Sequence, residues 1–443
     1  MKRVTVIGGG QVGTLLAEDL SQQRHDVVLV ETERERARLI KDRLDILCIE
    51  GDASEPGVME RAGVADSDVV LAVSGDDKTN ILCAATAAIQ GVANVVAKVR
   101  NPEYTAYMNT LRKYGVSIIN PGEIISNNIY DTVTESHFAW SKQEIADGKV
   151  ELFKLRVAAG AKMLGTPLKQ LETSPWIFVG VARQGEMLIP SGDTVLMEGD
   201  SVYALGDSSM LDSLTGAMGL ADDTGSTTVV IIGAGRLGTL TARSLHKSGV
   251  SVKVVESDPK RAAELADEAP GVMVLSGDAT DVKIQKEAGV DAADYLIALT
   301  GDDSENILSS LLARRLGVKR SIVLYTKPDY VDVLETVGID TTVSVRISVV
   351  NEILGMLDLG GPARTTLLEE GRGEILEFSV GEDSAILGKP LKEADLPEGC
   401  IVGACVRDNE TIIPKGNFTP QAGDKVIVFT LPEAVKKVEK AIS

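Results

Sequence analysis

The 443-residue sequence predicts an α/β protein in which a doubly wound parallel-sheet domain and a small α+β domain occur in tandem, twice. Two observations carry this prediction. A glycine-rich motif, G-x-G-x-x-G, follows a short apolar run near the start of the chain and again 225 positions later. Each motif is followed by further short apolar runs separated by helix-like segments, which is typical of parallel strands joined by helices. Repetition at a nearly fixed offset indicates a duplicated module.

The first element of each repeat is a strand that runs into a glycine loop. Residues 4–7 precede the loop at 8–13, and residues 229–232 precede the loop at 233–238. This arrangement is typical of dinucleotide sites, where the loop lets the backbone approach a pyrophosphate at a helix N-terminus. The expected phosphate-binding residues are Gly8, Gly10, Gln11, Val12 and Gly13 in the first repeat and Gly233, Gly235, Arg236, Leu237 and Gly238 in the second.

An acidic residue ends the second predicted strand of each repeat. Glu31 follows the apolar run 27–30, and Glu256 follows the run 252–255 at the same offset of 225 positions. An acid about 20 residues beyond the glycine loop binds the ribose hydroxyls and repels a 2′-phosphate. The spacing therefore favours NAD over NADP in both repeats.

The correspondence continues through the later strands at an offset of 226. The triplet at 51–53, Gly-Asp-Ala, recurs at 277–279, and the run at 72–77 that ends in two aspartates recurs at 298–303. The aspartate pairs stand where helix N-caps are expected. These landmarks predict two Rossmann-like domains, and an amphipathic helix after the first of them carries Ile125, Ile129 and Val133 on one face.

The segment after each Rossmann-like domain reads as short strands and turns. The same sequence fragments, L-G-x-P-L, I-P-x-G and G-D-x-V, occur in the same order in both segments. The duplication therefore covers a two-domain unit. The predicted domains are residues 1–138, 139–221, 226–355 and 362–443.

Composition excludes several classes of protein. A formal net charge of −20 argues against a nucleic-acid partner, whose phosphates would be repelled. No apolar run reaches the roughly 18 residues of a membrane-spanning helix, and the chain starts directly with a predicted strand, so we expect neither a membrane span nor a leader. Four scattered cysteines and three histidines fit a reduced cytoplasmic location and no metal site.

The order of these motifs resembles the RCK family, also called KTN, which regulates potassium transport. The resemblance covers essentially the whole chain and rests on the glycine loop, Glu31, the triplet at 51–53, the Asp77-x-x-Asn80 pair, residues 98–104 and the two I-P-x-G segments. It implies a non-enzymatic subunit that binds NAD(H), and ATP or ADP as a further ligand, and that gates transport allosterically. It further implies a homotetrameric ring on the inner face of the cell membrane, bound to a membrane-embedded Trk-type potassium transporter subunit (TrkH- or TrkG-like).

The resemblance also assigns roles to residues outside the glycine loop. Asp52 and Ala53 would border the adenine, Ser74 and Asp77 would lie near the distal end of the ligand, and Lys98 and Arg100 would supply positive charge to phosphates. Lys98 departs from the family, where arginine is common, and a lysine lacks the bidentate fork of a guanidinium. The remaining residues assigned to the two sites by this match are Asn80, Asp278, Ala279, Thr300 and Asp303.

The two repeats are not equivalent. Leu324 and Thr326 stand at the positions of Lys98 and Arg100, and Arg236 stands at the position of Gln11. We therefore expect the first site to prefer NAD(H) and the second to bind an adenine nucleotide or to bind weakly. The main alternative is an NAD-dependent oxidoreductase, because the Rossmann-like signature alone does not settle function. The small domains would bind sodium, a cyclic dinucleotide or no ligand.

Overall fold

The structure, a computed structural model of the chain, describes residues 1–134, 141–157, 160–171, 176–183, 185–207, 210–218, 227–339, 341–357 and 364–442. These residues form two compact units. The first contains residues 1–124 and 346–366, and the second contains residues 125–345 and 367–443.

The first half of the chain begins with alternating strands and helices, as predicted. The elements are β1 (Arg3–Ile7), α1 (Gln11–Gln22), β2 (Asp26–Glu31), α2 (Arg34–Arg43), β3 (Leu47–Glu50), α3 (Pro56–Arg61), β4 (Val69–Ala72), α4 (Asp77–Ile89), β5 (Asn94–Lys98), α5 (Thr105–Arg112), β6 (Val116–Ile119) and α6 (Pro121–Thr134). All six strands are parallel, in the order β3-β2-β1-β4-β5-β6. This is a doubly wound order, with a switch point between β1 and β4.

The small domain that follows is an antiparallel sheet with one helix. Its elements are β7 (Ser141–Ile145), β8 (Val150–Arg156), β9 (Trp176–Arg183), β10 (Glu186–Leu188), β11 (Ser201–Gly206) and α7 (Met210–Met218). The strand order is β10-β9-β11-β8-β7. Its core contains Trp176 and Phe153, two of the few aromatic residues in the chain.

The second half repeats the parallel sheet. Its elements are β12 (Thr228–Ile232), α8 (Arg236–Lys247), β13 (Ser251–Glu256), α9 (Pro259–Glu268), β14 (Met273–Ser276), α10 (Val282–Glu287), β15 (Tyr295–Ala298), α11 (Asp303–Leu316), β16 (Arg320–Tyr325), α12 (Tyr330–Thr336), β17 (Thr341–Ser344) and α13 (Val345–Met356). The strand order, β14-β13-β12-β15-β16-β17, matches the first sheet position for position.

The chain ends in a second antiparallel domain. Its elements are β18 (Arg364–Leu368), β19 (Gly373–Ser379), β20 (Cys400–Arg407), β21 (Glu410–Ile412), β22 (Lys425–Thr430) and α14 (Val435–Ile442). Its strand order, β18-β19-β22-β20-β21, is the same as that of the first small domain, whose corresponding strands are β7-β8-β11-β9-β10.

Within the second unit, the two antiparallel domains share one hydrophobic core. Val179 and Leu205 of the first domain pack with Ile427 and Phe429 of the second. Glycines permit the close approach: a Cβ on Gly180 would lie 2.6 Å from Cζ of Phe429, and a Cβ on Gly403 would lie 2.5 Å from Cδ1 of Leu205. The two sheets therefore pack face to face over small residues.

Each unit also contains a helix that follows the last strand of a parallel sheet. In the second unit, α6 packs on the second parallel sheet through Ile125, Ile129 and Val133, which confirms the predicted apolar face. The first unit takes in residues 346–366, which include most of α13. The helix α6 thus belongs to the first half of the sequence but packs in the core of the second half.

The predicted domain boundaries stay a prediction. Residues 135–140 and 221–226, where two of the boundaries fall, lie outside the described residues. In the described part of the chain, no helix has the combined length and apolar character that crossing a membrane requires.

Ile129→Ala should destabilise the second unit, because Ile129 is 0% exposed between α6 and the parallel sheet. We expect its free energy of unfolding in urea to fall by about 2–5 kcal/mol. Ile89→Ala is the matched control, because Ile89 is also helical but 81% exposed, and its effect should stay within about 0.5 kcal/mol. Equal effects of the two substitutions would contradict the packing of α6.

Candidate functional site

The predicted site residues of the first half gather at the carboxyl edge of the first parallel sheet. The glycine loop follows β1, Glu31 ends β2, Asp52 follows β3, Ser74 follows β4 and Lys98 ends β5. Ligands of doubly wound sheets bind at this edge, beside the switch point between β1 and β4. The sequence therefore placed these residues in one region.

The glycine loop is shaped by close backbone contacts. Gly8 has a φ of +102°, and a Cβ there would lie 2.5 Å from Cα of Ser74. A Cβ on Gly13 would lie 1.9 Å from the carbonyl oxygen of Gly8. Gly10, the N-cap of α1, is different, because a Cβ there would meet nothing within 4 Å. Gly8 and Gly13 are required by the fold, whereas the space beside Gly10 is open to a ligand.

The Glu31 carboxylate holds the glycine loop in place. It is 4% exposed, and its Oε2 accepts a hydrogen bond of 2.7 Å from the backbone N–H of Gly9. Its Oε1 accepts hydrogen bonds from the backbone N–H of Glu33 at 2.8 Å and from the Thr32 hydroxyl at 3.1 Å. Burial opposes ionisation of Glu31, but these backbone bonds and the Arg36 guanidinium outweigh it, and the pKa lies below its ordinary value.

The second half repeats this network. The Glu256 carboxylate is 3% exposed and accepts hydrogen bonds from the backbone N–H groups of Ala234 at 2.6 Å and Asp258 at 2.8 Å. A Cβ on Gly238 would lie 1.9 Å from the Gly233 carbonyl oxygen, and Gly235 is open. The two loops are therefore equivalent in backbone geometry, although they differ at Gln11 and Arg236, which are both exposed.

Sequence reasoning missed an arginine beside each of these carboxylates. Nη1 of Arg36 lies 3.4 Å from Oε2 of Glu31, and Nη2 of Arg261 lies 3.1 Å from Oε1 of Glu256. Both arginines are about half exposed and lie five residues after the acid. Their recurrence at the offset of 225 was the available signal. Each places a positive charge next to the expected ribose position.

Asp77 and Asn80 have structural roles at the edge of the site. Oδ2 of Asp77 accepts hydrogen bonds from the backbone N–H groups of Arg100 at 3.0 Å and Asn101 at 2.9 Å. Asn80 is 0% exposed, accepts from the N–H of Ser74 at 2.8 Å and donates to the carbonyl oxygen of Lys98 at 2.8 Å. These side chains join the loops after β4 and β5, so their predicted contact with a ligand stays a prediction.

The N-cap prediction is confirmed for the preceding aspartates. The Asp76 carboxylate accepts a hydrogen bond from the backbone N–H of Thr79 at 2.7 Å, and Asp302 accepts one from Glu305 at 2.9 Å. Asp303 repeats the role of Asp77, because its carboxylate accepts from the N–H of Thr326 at 3.0 Å. Thr300 in turn donates its N–H to Asn306 at 2.9 Å.

The adenine-side residues differ in exposure. Asp52 and Asp278 are exposed, and each accepts a hydrogen bond of 2.8 Å from the N–H two residues further on. Ala53 and Ala279 are 4% and 3% exposed, and they pack in the cores under the sheets. The aspartates are available to a ligand, whereas the alanine side chains are not.

Lys98 and Arg100 bring positive charge to the first site. Burial of Lys98, aided by the nearby Arg100 and opposed by Asp77, lowers the pKa of the Lys98 ammonium to about 8. Nε of Arg100 lies 3.3 Å from Oδ1 of Asp77. The ammonium therefore remains mainly protonated at neutral pH and is poorly solvated, which favours an anion beside it.

The second site is more acidic at the same place. Leu324 and Thr326 lack the charges of Lys98 and Arg100, and Glu305 stands where the first half has Thr79. Burial of Glu305, together with the nearby carboxylates of Asp278, Asp302 and Glu256, outweighs a hydrogen bond from Thr300 and raises the pKa of Glu305 above its ordinary value. The two sites at the carboxyl edges of the parallel sheets, called the first and second clefts below, have the same backbone geometry but different electrostatic environments.

Metal-assisted chemistry has no obvious centre in the described part of the chain. No group of three or more His, Cys, Asp or Glu side chains there is placed to hold a metal ion. The arrangement that is present can bind a nucleotide at each carboxyl edge, through loop amides, a ribose-side carboxylate and cationic side chains.

Two parallel-sheet domains in one chain, each followed by an antiparallel domain, define a tandem RCK-type protein. The TrkA-N domain family matches residues 4–121 and 229–345, and the TrkA-C domain family matches residues 152–219 and 375–443. The chain therefore belongs to the TrkA family of Trk system potassium uptake proteins.

Relatives of known name span the whole chain. The Trk system potassium uptake protein TrkA homolog 1 of Methanosarcina mazei is 32% identical over 99% of this chain and 99% of its own length. TrkA of Vibrio alginolyticus is 30% identical over 96% of this chain and 95% of its own length.

Solved structures show the same fold. The GsuK RCK domain has a TM-score of 0.58 at 22% identity and covers 99% of this chain and 94% of its own. The GsuK channel bound to NAD has a TM-score of 0.58 at 22% identity and covers 99% of this chain and 78% of its own. GsuK bound to ADP has a TM-score of 0.50 at 18% identity, with 80% and 68% coverage.

Glu31→Gln should make the thermal stability of the chain less sensitive to acid. The depressed pKa of Glu31 means that its contribution to stability is present above the ordinary carboxyl pKa and is lost as the pH falls through the depressed value. We expect a lower Tm than that of the natural chain at pH 7, with the difference shrinking below pH of about 4. Glu35→Gln, at an exposed acid in the first turn of α2, is the control and should leave the pH profile of Tm unchanged. A pH-independent difference in Tm for Glu31→Gln would contradict this account.

Proposed function

We propose that this protein is a nucleotide-sensing regulatory subunit of a Trk-type potassium uptake system and that it is not an enzyme. One observation carries the proposal: a glycine loop clamped by a buried carboxylate occurs twice in a chain whose full-length relatives are named Trk system potassium uptake proteins. Duplicated nucleotide clefts serve a sensor, whereas hydride transfer requires only one.

The first cleft is proposed to bind NAD(H). Gly10 leaves room for a pyrophosphate at the N-terminus of α1, Lys98 and Arg100 carry positive charge, and Glu31 lies at the ribose position. The buried Glu31 carboxylate would repel a 2′-phosphate, so NADPH should bind more weakly than NADH. The fold is shared with the GsuK channel bound to NAD, which supports a dinucleotide in this type of cleft.

The second cleft is proposed to bind ATP or ADP, or to bind nucleotides weakly. It lacks counterparts of Lys98 and Arg100, but its glycine loop carries the exposed Arg236. A guanidinium at that position can contact a terminal phosphate with two parallel hydrogen bonds. GsuK has also been solved with ADP bound, and its fold is that of this chain.

The membrane partner is proposed to be a Trk-type potassium transporter subunit, TrkH- or TrkG-like. The chain would act from the cytoplasmic face as a homotetrameric ring. A nucleotide that binds one conformation of the ring more tightly than another shifts the population toward that conformation and so changes transport. This mechanism requires binding and conformational change but no bond chemistry.

An NAD-dependent oxidoreductase is the second candidate, because the Rossmann-like clefts alone are compatible with hydride transfer. The two functions differ in a simple readout. An oxidoreductase consumes NADH in the presence of a hydroxy or oxo substrate, whereas the proposed sensor leaves NADH unchanged and alters potassium flux.

Gly10→Ala and Gly235→Ala test the two clefts separately in the full chain. Each Cβ meets nothing within 4 Å and each backbone is extended, so the fold should tolerate both substitutions. Each methyl group would occupy the space into which the pyrophosphate must come. We expect Gly10→Ala to weaken NADH binding about tenfold or more, measured by calorimetry.

Gly216→Ala, at an exposed glycine of α7 with open space around it, is the control and should not change nucleotide affinity. In vesicles that contain a Trk-type transporter subunit, only the two loop variants should change the nucleotide response of potassium flux. Unaltered binding in both loop variants, or turnover of NADH by the purified chain, would overturn the proposed function.

Exchanging Gln11 and Arg236 tests the proposed specificity of the clefts. Arg236→Gln should reduce ADP affinity at the second cleft about tenfold, because a charge-assisted phosphate contact is lost. Gln11→Arg should raise ADP affinity at the first cleft. Both affinities can be measured with the other cleft blocked by its loop glycine substitution, and equal ADP affinity before and after the exchange would contradict the assignment.

A further inference from the structure

The turn between β18 and β19 contacts two other domains of the second unit. It consists of residues 369–372 and contains two adjacent non-glycine residues with left-handed backbone, Glu369 at a φ of +45° and Glu370 at +57°. Left-handed backbone at two successive non-glycine residues is unfavourable and persists where surrounding contacts hold it. The contacts of Glu369 and Glu370 meet that requirement.

Glu369 binds the first antiparallel domain. Its Oε1 accepts hydrogen bonds from Nζ of Lys154 and from the hydroxyl of Tyr203, residues that are paired across β8 and β11. The Glu369 side chain is 6% exposed and that of Lys154 is 13% exposed. Burial opposes ionisation of Glu369, but the charge of Lys154 and the hydrogen bonds from Lys154 and Tyr203 outweigh it and lower the pKa of Glu369. Glu369 and Lys154 therefore form a buried ion pair. Arg372 adds a hydrogen bond of 2.8 Å to the carbonyl oxygen of Gly185.

Glu370 binds the second parallel sheet. The hydroxyl of Tyr325 donates a hydrogen bond of 2.8 Å to Oε1 of Glu370. Tyr325 is the last residue of β16 and is 3% exposed. Burial and the nearby carboxylates of Glu370 and Glu369 raise the pKa of Tyr325, which keeps its hydroxyl protonated as a donor.

The residues on both sides of Tyr325 are bonded to the wall of the second cleft. Asn306 donates to the carbonyl oxygen of Leu324 at 3.0 Å, and the N–H of Thr326 donates to Asp303 at 3.0 Å. Asn306 also accepts the N–H of Thr300 at 2.9 Å, so the same amide positions the loop after β15. A displacement of this loop is therefore transmitted to the backbone of Tyr325.

We propose that the Glu369–Glu370 turn is a coupling strap that links the conformation of the second nucleotide cleft to the paired antiparallel domains. The link runs from the loop after β15 through Tyr325 to Glu370, and from Glu369 to Lys154 and Tyr203. Its use as a relay of nucleotide binding rests on the proposed function. The mechanical coupling itself does not, because every contact in it is made between residues of the chain.

The first half differs at the position of Tyr325 and at the corresponding turn. Val99 stands at the position of Tyr325 and has no hydroxyl to donate. The corresponding turn also has left-handed residues, Ala146 at +52° and Asp147 at +57°, but Asp147 contacts Lys425 at the surface, with side-chain exposures of 60% and 40%. An exposed ion pair contributes little to stability.

Tyr325→Phe in the full chain tests the strap without a ligand. The substitution removes only the hydroxyl, and thermal unfolding should remain cooperative. We expect backbone hydrogen–deuterium exchange to become about tenfold faster both at the turn and at Thr326–Lys327, as each loses a shared restraint. Glu370→Ala, which removes the acceptor, should produce the same pattern from the other end. Tyr295→Phe is the control, because Tyr295 is equally buried. Its hydroxyl accepts a hydrogen bond of 2.9 Å from Nη1 of Arg320 at the opposite edge of the sheet. Faster exchange confined to the substituted element would overturn the proposal.

Addition of ADP separates the strap from the proposed function. In the natural chain, ADP should slow exchange at the second glycine loop and also at the turn and β8. In Tyr325→Phe, ADP should slow exchange at the loop only. Identical slowing at β8 in both chains would overturn the strap as a relay. Failure of ADP to affect the second loop in either chain would overturn nucleotide binding there, while the ligand-free comparison would still decide the mechanical coupling.

Discussion

A buried carboxylate at the end of the second strand determines the shape of each cleft. Glu31 and Glu256 lie almost out of solvent, and loop amides donate hydrogen bonds to both carboxylates. Removing those donors would leave a charge in a poorly solvated place, which is costly. The carboxylate therefore fixes the glycine loop before any ligand arrives, and the loop in turn sets the start of the first helix. The open N-terminus of α1 and the approach of Ser74 to Gly8 are both part of this arrangement.

Much of this could be predicted from the sequence, because the relevant signals are local and repeated. The parallel sheets, the glycine loops and the strand-end acids follow from apolar runs, motif spacing and a nearly constant offset, and the structure bears out the fold. The roles of Asp77 and Asn80 could not be predicted, since a polar side chain that joins two loops looks in sequence like one that contacts a ligand. The Tyr325–Glu370 bond was also beyond reach. Its partners are 45 positions apart on different domains, and no periodicity relates them.

The two clefts show how one backbone can support different electrostatics. In both loops, the last glycine avoids the same clash with a backbone carbonyl oxygen. The first cleft nevertheless has Lys98 and Thr79 where the second has Leu324 and Glu305. The consequence appears in the pKa directions. Burial lowers the pKa of Lys98 in the first cleft, whereas burial and the nearby carboxylates raise the pKa of Glu305 in the second. Charge is set by side chains that the fold does not require, so it can change without loss of the sheet.

The face-to-face pairing of the antiparallel domains has a consequence for how such an interface can change over time. Between two copies of one chain, any substitution at a twofold interface appears on both sides at once. In a single chain that carries both halves, a substitution appears once. The buried pair of Lys154 with Glu369 has no mirror image, because Glu377 and Ala146 stand at the corresponding positions of the other half. In a single chain the interface can therefore be asymmetric. Its two halves are always present in a one-to-one ratio, which dilution does not change.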